Sequence, residues 1–293
     1  MKVVVAGASG LIGSALVDAL RADGHEVLQL VRRAPKDSGE VQWDPAAPLD
    51  PALLAGVGAA VCLSGAGVGD KRWDAEYKRT LLDSRVNPTR TLATALAALD
   101  PKPAVFLSGS AIGFYGETGP TPTDETSATA DDFFARLVLD WEAAAAPAEE
   151  AGIRVAYLRT GLVVARKGGA WGRMFPIFKL GLGGKIGNGR QYWSFISLTD
   201  HVRAMQFLLT HDVSGPVNLT GPDPATNAEV TKAMGKALHR PALLPVPPFA
   251  LKLVLGEFGA EPLRSQRIIP NALQKAGFTF EHPTIDSAIR AAL

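Results

Sequence analysis

The chain opens on a short apolar, β-branched run over residues 2–6. It breaks at once into Gly7, Ala8, Ser9, Gly10, Leu11, Ile12 and Gly13, and then shows apolar positions at helical spacing, Leu16 and Leu20. Strand, glycine turn and helix are predicted in that order. Further strands are predicted over residues 26–31, 41–43, 59–63, 104–107 and 154–158. Helical spacing fills residues 74–99, polar at first and apolar at Leu92, Leu96 and Leu99, and residues 131–146. Pro88 marks a break or a new first turn within the first of these. Strands alternating with helices through short turns predict an α/β fold, a Rossmann-type doubly wound parallel sheet.

After about residue 165 the alternation loosens. A glycine-rich stretch over 168–189 leads into an aromatic strand over 190–196. A helix capped by Thr199 or Asp200 then runs to Leu209, a short strand covers 217–219, and Asn227 caps another helix. Residues 245–293 read as helical with one turn at Gly277. The expected organisation is a dinucleotide-binding domain over 1–165, with parts of 190–220 returning to it. A smaller C-terminal substrate lobe over 166–293 follows, of which about 245–293 is a helical C-terminal domain.

Composition narrows the classes of function. The chain has 293 residues, 47% hydrophobic and 20% charged, which is an ordinary globular balance with room for one large or two modest domains. A net charge of +1 gives no electrostatic reason to expect nucleic acid or an anionic membrane as partner. The single cysteine, Cys62, excludes an intrachain disulfide and suits a reducing compartment. No apolar stretch is long enough to be a secretory or membrane-spanning segment, because glycines interrupt the first one. A cytoplasmic protein without a metal site is therefore expected, a monomer or homodimer.

The candidate chemistry starts at the glycines. Backbone N–H groups at a helix N-terminus, together with the helix dipole, stabilise a pyrophosphate. Gly7 would permit the tight turn, Gly10 the close approach of phosphates and Gly13 the packing of helix on strand, with Ser9, Leu11 and Ile12 between them. The end of the second strand then distinguishes the cofactor. An acidic residue there accepts hydrogen bonds from the ribose hydroxyls of NAD, whereas arginine suits a 2′-phosphate. This chain has Arg32 and Arg33, which point to NADP(H), although a solvated strand end would also carry them. Past Leu63, the end of the 59–63 strand, the small residues Ser64, Gly65, Ala66 and Gly67 mark a crevice where a cofactor would pass, lined by Leu63, Ser64 and Gly65, or a plain loop. The 104–107 strand exits into Ser108, Gly109, Ser110, Ala111, Ile112, Gly113, Phe114, Tyr115 and Gly116, the densest run of candidate groups.

These residues carry a family resemblance. With Trp43 and Asp44, the triplet Asp83, Ser84 and Arg85, the pair Trp141 and Glu142, and the 180–189 run followed by Arg190 and Gln191, the chain resembles an atypical, extended short-chain dehydrogenase/reductase. Within that class it is similar to the sugar-nucleotide-epimerase-like subgroup. The tail, with Ser265, Gln266, Arg267, Pro270, Gly277 and Phe278, resembles the DUF1731-type domain that accompanies it. The resemblance implies an oxidoreductase or epimerase acting on a hydroxyl or carbonyl substrate such as a sugar nucleotide. It places Ser110 at the reacting oxygen, Ser108 and Val163 at the cofactor, and Arg190, Gln191 and Trp193 on the substrate side, although stacked aromatics also serve as core.

The family's Tyr-xxx-Lys pair is missing. Anchoring on Glu142 puts Phe134 and Val138 in those positions, and no tyrosine has lysine four residues on. Lysine and the nicotinamide charge normally lower the phenol's pKa so that it can exchange a proton near neutrality. Tyr115 is the substitute on the exit turn, or else a packed aromatic. Arg85 would reach a cofactor phosphate or substrate anion, or form a helix-surface ion pair. The resemblance also admits a regulatory or scaffold protein, as in cell division, that binds NADP(H) with a degenerate catalytic site.

Overall fold

The computed structural model describes residues 1–293. The chain runs β1 (Lys2–Ala6), α1 (Leu11–Ala22), β2 (Glu26–Val31), β3 (Glu40–Gln42), β4 (Val57–Cys62), α2 (Ala75–Ala97) and β5 (Val105–Ala111). It continues through α3 (Phe133–Ala143), α4 (Ala146–Glu150), β6 (Arg154–Thr160), β7 (Leu162–Val164), α5 (Gly169–Lys179), β8 (Tyr192–Trp193) and β9 (Phe195–Ser197). The remainder is α6 (Leu198–Thr210), β10 (Gly215–Leu219), β11 (Ala225–Thr226), α7 (Asn227–Leu238), α8 (Pro248–Leu255), α9 (Asn271–Lys275) and α10 (Ile285–Ala291).

Seven strands form one sheet in the order β10-β6-β5-β4-β1-β2-β3, and every pairing is parallel. The expected Rossmann-type architecture is therefore present. Alternation along β1 explains why both faces are covered. Val3 and Val5 enter the core beneath α1 and α6, with Leu16, Leu20 and Met205, while Val4 and Ala6 enter the core beneath α2, with Leu92, Leu96 and Phe106. Strand order reverses between β1 and β4, which opens the ligand crevice at their carboxyl ends.

Several local expectations are corrected. Pro88 neither breaks nor restarts α2, which runs through it. An interior proline costs roughly 3 kcal/mol, and the buried face of Leu81, Arg85, Thr89, Leu92 and Leu96 offsets this. The aromatic strand splits at Ser194. Tyr192 and Trp193 pair with β11, Phe195 to Ser197 pair with β7, and the Ser194 hydroxyl donates to the backbone of Gln266 at 2.7 Å. The cap of α6 is Ser197 and that of α7 is Thr226, which forms a capping box with Glu229.

The tail is less helical than its apolar residues predict. After α8 a 3₁₀ helix spans Gly256–Leu263, and residues 264–270 lie outside helices and strands apart from an isolated bridge at Ile268. This strap threads between two layers. Ser265 and Arg267 carbonyls accept from Thr118 and Thr123, Ile269 donates back to Thr123, and Gln266 donates to Tyr192. Leu273 and Phe278 then join the main core. The C-terminal segment is thus built into the end of the sheet.

Candidate active site

At the first turn each glycine has a separate reason. Gly7 has φ of +81°, and a Cβ there would sit 2.7 Å from the Leu63 backbone carbon. At Gly13 a Cβ would overlap the Gly7 oxygen, so α1 can seat on the turn only without a side chain. At Gly10 the nearest atom would be the Gly7 oxygen at 3.4 Å, an ordinary contact. Packing therefore requires two of the three glycines. The third keeps a space beside the start of α1, whose N-cap, Gly10, offers no side-chain cap and whose first turn carries no acidic residue. The first-turn N–H groups of Leu11, Ile12 and Gly13 have no acceptor within the helix. Ser9 and Gly10 are exposed at this mouth.

The small-residue turn after β4 lies against it, as the contact between Gly7 and Leu63–Ser64 requires. Arg85 supports that turn from beneath. Its guanidinium donates to the carbonyls of Leu81 and Ala66, both at 2.9 Å, lies over the Trp141 ring, and would crowd a Cβ at Gly65. No carboxylate pairs with it, and burial pulls its pKa down to about 10. The alternative of a helix-surface ion pair is therefore not formed. Arg85 is close to the crevice, but its visible hydrogen bonds go to backbone.

The two arginines beyond β2 differ. Arg33 is taken up by Glu40 in a paired contact at 2.7 and 2.5 Å, which holds the Glu40 carboxyl down at about 2. The guanidinium of Arg32 is exposed and has no partner within the chain. Val163 sits in β7, in register with Ile196, and its side chain packs on the core under α1 and α6.

The exit of β5 is organised around a buried ion pair. Glu142 on α3 receives Nε and Nη2 of Arg159, from β6, at 2.9 and 3.0 Å. Ser110 donates its hydroxyl to the same carboxylate at 2.6 Å. A further Arg159 nitrogen reaches the Tyr115 oxygen at 3.0 Å, and Tyr115 donates to Asn218 Oδ1 at 2.8 Å. Arg159 also stacks over the Phe114 ring at 3.5 Å. Burial pushes the Tyr115 phenol above its ordinary pKa, against the opposing pull of Arg159.

Tyr115 is 4% exposed and its hydroxyl is committed to two protein partners, so its geometry is that of the packed alternative rather than of a proton carrier facing the crevice. Ser110 is likewise buried, and Ser108 is buried deeper in β5 with its hydroxyl unpartnered. The Tyr-xxx-Lys positions hold no titratable group. Phe134 meets Trp73 edge-on at 4.8 Å, and Val138 is core.

The substrate-side expectations also resolve into contacts. Gln191 and Trp193 both donate to the Pro262 carbonyl, at 3.3 and 3.1 Å, and so grip the tail. The Arg190 side chain is exposed. Glu142, Arg159, Asn218, Glu261 and Arg264 were not among the candidates as site residues. Apart from Glu261 and Arg264, which are three residues apart, they are distant in sequence, and only the Trp141–Glu142 signature points to any of them.

Fold and turn together define a dinucleotide-binding α/β protein of the short-chain dehydrogenase type. Residues 3–220 match the model of the NAD dependent epimerase/dehydratase family, and residues 246–292 match DUF1731, a domain of unknown function. The chain belongs to this family. It is 48% identical over 290 residues to an epimerase family protein of Mycobacterium bovis, covering 98% of this chain and 96% of that one. It is 36% identical over 301 residues to epimerase family protein SDR39U1 of Bos taurus, with 99% of each covered. The crystal structure of human SDR39U1 isoform 2 with NADPH superposes with a TM-score of 0.93 at 33% identity, covering 100% and 99% of the two chains. A nucleoside-diphosphate sugar epimerase from Corynebacterium glutamicum superposes at 0.82 and 35% identity, covering 99% of this chain but 57% of that one. No helix is long and apolar enough to cross a membrane.

Proposed function

We propose that the protein binds NADP(H) across the β1–β4 crevice and catalyses oxidation, reduction or epimerisation at a hydroxyl-bearing or carbonyl carbon of a small substrate, with a sugar nucleotide as the first class to test. The carrying observation is the glycine turn, where Gly10 leaves a space that the protein does not use, together with an unpaired Arg32 just past β2, the strand that pairs with β1. Leu11, Ile12 and Gly13 N–H groups would hold the pyrophosphate, and Arg32 the 2′-phosphate. Leu63, Ser64 and Gly65 would line the path, with Val163 at the nicotinamide end. The NADPH carried by the human relative supports the choice of cofactor. A bound nicotinamide supplies or accepts a hydride.

The chain's own groups do the rest. Ser110, anchored by Glu142, keeps an oxygen lone pair for orienting a substrate hydroxyl, and Tyr115 fixes Arg159 so that the exit turn stays rigid. The burial of those two hydroxyls, each donating to a protein partner, also favours a second reading, a cofactor-responsive regulatory protein without turnover.

Calorimetric titration with NADPH and NADH tests the first step. Arg32→Ala is expected to weaken NADPH binding by about ten- to a hundredfold, the value of a charge-assisted contact, and to leave NADH binding unchanged. Arg33→Ala should alter the preference far less. Failure of the wild type to bind either cofactor would refute both readings.

A further inference from the structure

The missing tyrosine leaves the reaction without an evident proton donor, and the C-terminal domain brings an ionisable group, through Arg264, to the N-terminus of α3 where the tyrosine position lies. We propose that Glu261, brought in by the C-terminal domain of unknown function, exchanges the proton with the substrate oxygen in this site. This rests on the reading of the site as an NADP(H)-dependent one.

Placement comes first. Glu261 lies in the 3₁₀ helix Gly256–Leu263, where residues three apart eclipse one another, so it shares a face with Phe258. Phe258 packs on Trp73 at 5.4 Å, and Trp73 packs on Phe134, the residue in the tyrosine position, at 4.8 Å. From the other side, Arg264 bridges Glu261, at 3.1 Å, to Asp132, the N-cap of α3 two residues before Phe134. The next peptide is clamped by Gln191 and Trp193 through the Pro262 carbonyl. Gln266 ties the same strap to the exit turn, donating to the carbonyls of Ile112 and Gly116 at 3.0 and 2.9 Å. The segment that carries Glu261 is therefore tied on one side to the start of α3, where Phe134 stands, and on the other to the turn that follows Ser110.

Charge comes second. One guanidinium, Arg264, stands between two carboxylates. Asp132 also accepts the Ala135 N–H at the start of α3, and its carboxyl lies below the usual range although burial opposes this. Glu261 lacks such donors. Of the other charged groups nearby, Glu257 is on the same helix and is paired with Lys78 of α2 at 2.7 Å. Burial pushes the Glu261 carboxyl up to about 7, Arg264 pulls it down, and the Asp132 and Glu257 charges add to the rise. Two neighbouring carboxyls whose environments drive their pKa values apart are the arrangement that acid–base chemistry uses. Glu261 remains 20% exposed in its side chain, so it can be recharged from water.

The step balances. In reduction, the Glu261 O–H bond breaks and its proton forms the alcohol O–H bond, while a hydride forms the C–H bond. NADPH is oxidised to NADP⁺, and the carboxylate regains a proton from water. Oxidation runs in reverse.

The test compares the wild type with Glu261→Gln and Glu261→Asp in three measurements. Difference infrared spectra of the cofactor-free protein, taken a unit below and a unit above about pH 7, should show a carboxyl that loses its proton in the wild type and no such band in Glu261→Gln. NADPH should bind all three proteins alike. Reduction of 9,10-phenanthrenequinone by NADPH should fall roughly a hundredfold or more in Glu261→Gln, with partial recovery in Glu261→Asp. The wild-type rate should decline above about pH 7, where the carboxyl has lost its proton.

An unchanged infrared difference in Glu261→Gln would overturn the proposal, as would quinone reduction at the wild-type rate. A wild type that binds no NADPH would instead overturn the functional reading, and the infrared result would still decide the state of Glu261.

Discussion

The glycine turn and the exit of β5 lie at the same edge of the sheet and treat their polar groups in opposite ways. At the turn, the first N–H groups of α1 are left without side-chain caps and Gly10 keeps a space that nothing in the chain occupies. At the exit, Ser110, Glu142, Arg159, Tyr115 and Asn218 satisfy one another within the protein. One region is open to a ligand and the other is closed upon itself. A group with unfilled hydrogen-bonding capacity can bind, whereas a buried saturated network fixes geometry. In this molecule the second kind supports the first, because β5, which carries Ser110, pairs with β4 at the side of the crevice.

The largest expected effect comes from breaking the closed region. Arg159→Met removes the cation from a pair whose side chains are only 5% and 13% exposed, and strands the Glu142 charge. Loss of one partner from a buried pair costs about 3–5 kcal/mol. Denaturant unfolding should show a loss of that order, and NADPH affinity measured well below the transition should be nearly unchanged. A large loss of affinity with little loss of stability would mean that Arg159 belongs to the ligand site.

The glycines sharpen the same contrast within three residues. Gly13→Ala places a Cβ against the Gly7 oxygen and should destabilise by roughly 1–3 kcal/mol, the usual cost of overpacking. Gly10→Ala meets only an ordinary contact, so its stability should stay within about 0.5 kcal/mol, while NADPH binding weakens tenfold or more. If Gly10→Ala unfolds the protein and spares the affinity, the space beside α1 has a packing role instead.

The two regions were also unequally legible. The turn is local, with Gly7, Gly10 and Gly13 spaced on one strand–helix junction, and Arg32 follows at the next strand end. Spacing alone identifies such a site. The closed network draws on residues 110, 115, 142, 159 and 218, and the Glu261 cluster joins residue 261 to 132, so no window contains either. Periodicity failed where tertiary contacts override propensity. Pro88 is carried through α2 by the packing of its neighbours, and the strand predicted over 190–196 divides at Ser194, where the C-terminal strap crosses. Over 245–293 the apolar content predicts more helix than the chain forms. α8 has no buried residue, and Phe249, Leu253 and Val254 stand exposed on it, so its composition says little about its packing.

The smallest effect addresses the role of Tyr115. Tyr115→Phe keeps the ring in its core and removes one hydroxyl, which accepts from Arg159 and donates to Asn218. Arg159 retains Glu142, and the Asn218 amide still donates to the Ile269 carbonyl, so the loss should be about 1 kcal/mol. Ser110→Ala removes a bond to the other end of the same ion pair. If the network acts as a unit, the double variant should depart from the sum of the singles by about 0.5 kcal/mol or more. Turnover in Tyr115→Phe should fall only modestly, because the proton passes elsewhere. Wild-type stability combined with abolished turnover would reverse the assignment, returning the proton to Tyr115 and leaving Glu261 as an ion-pair partner of Arg264.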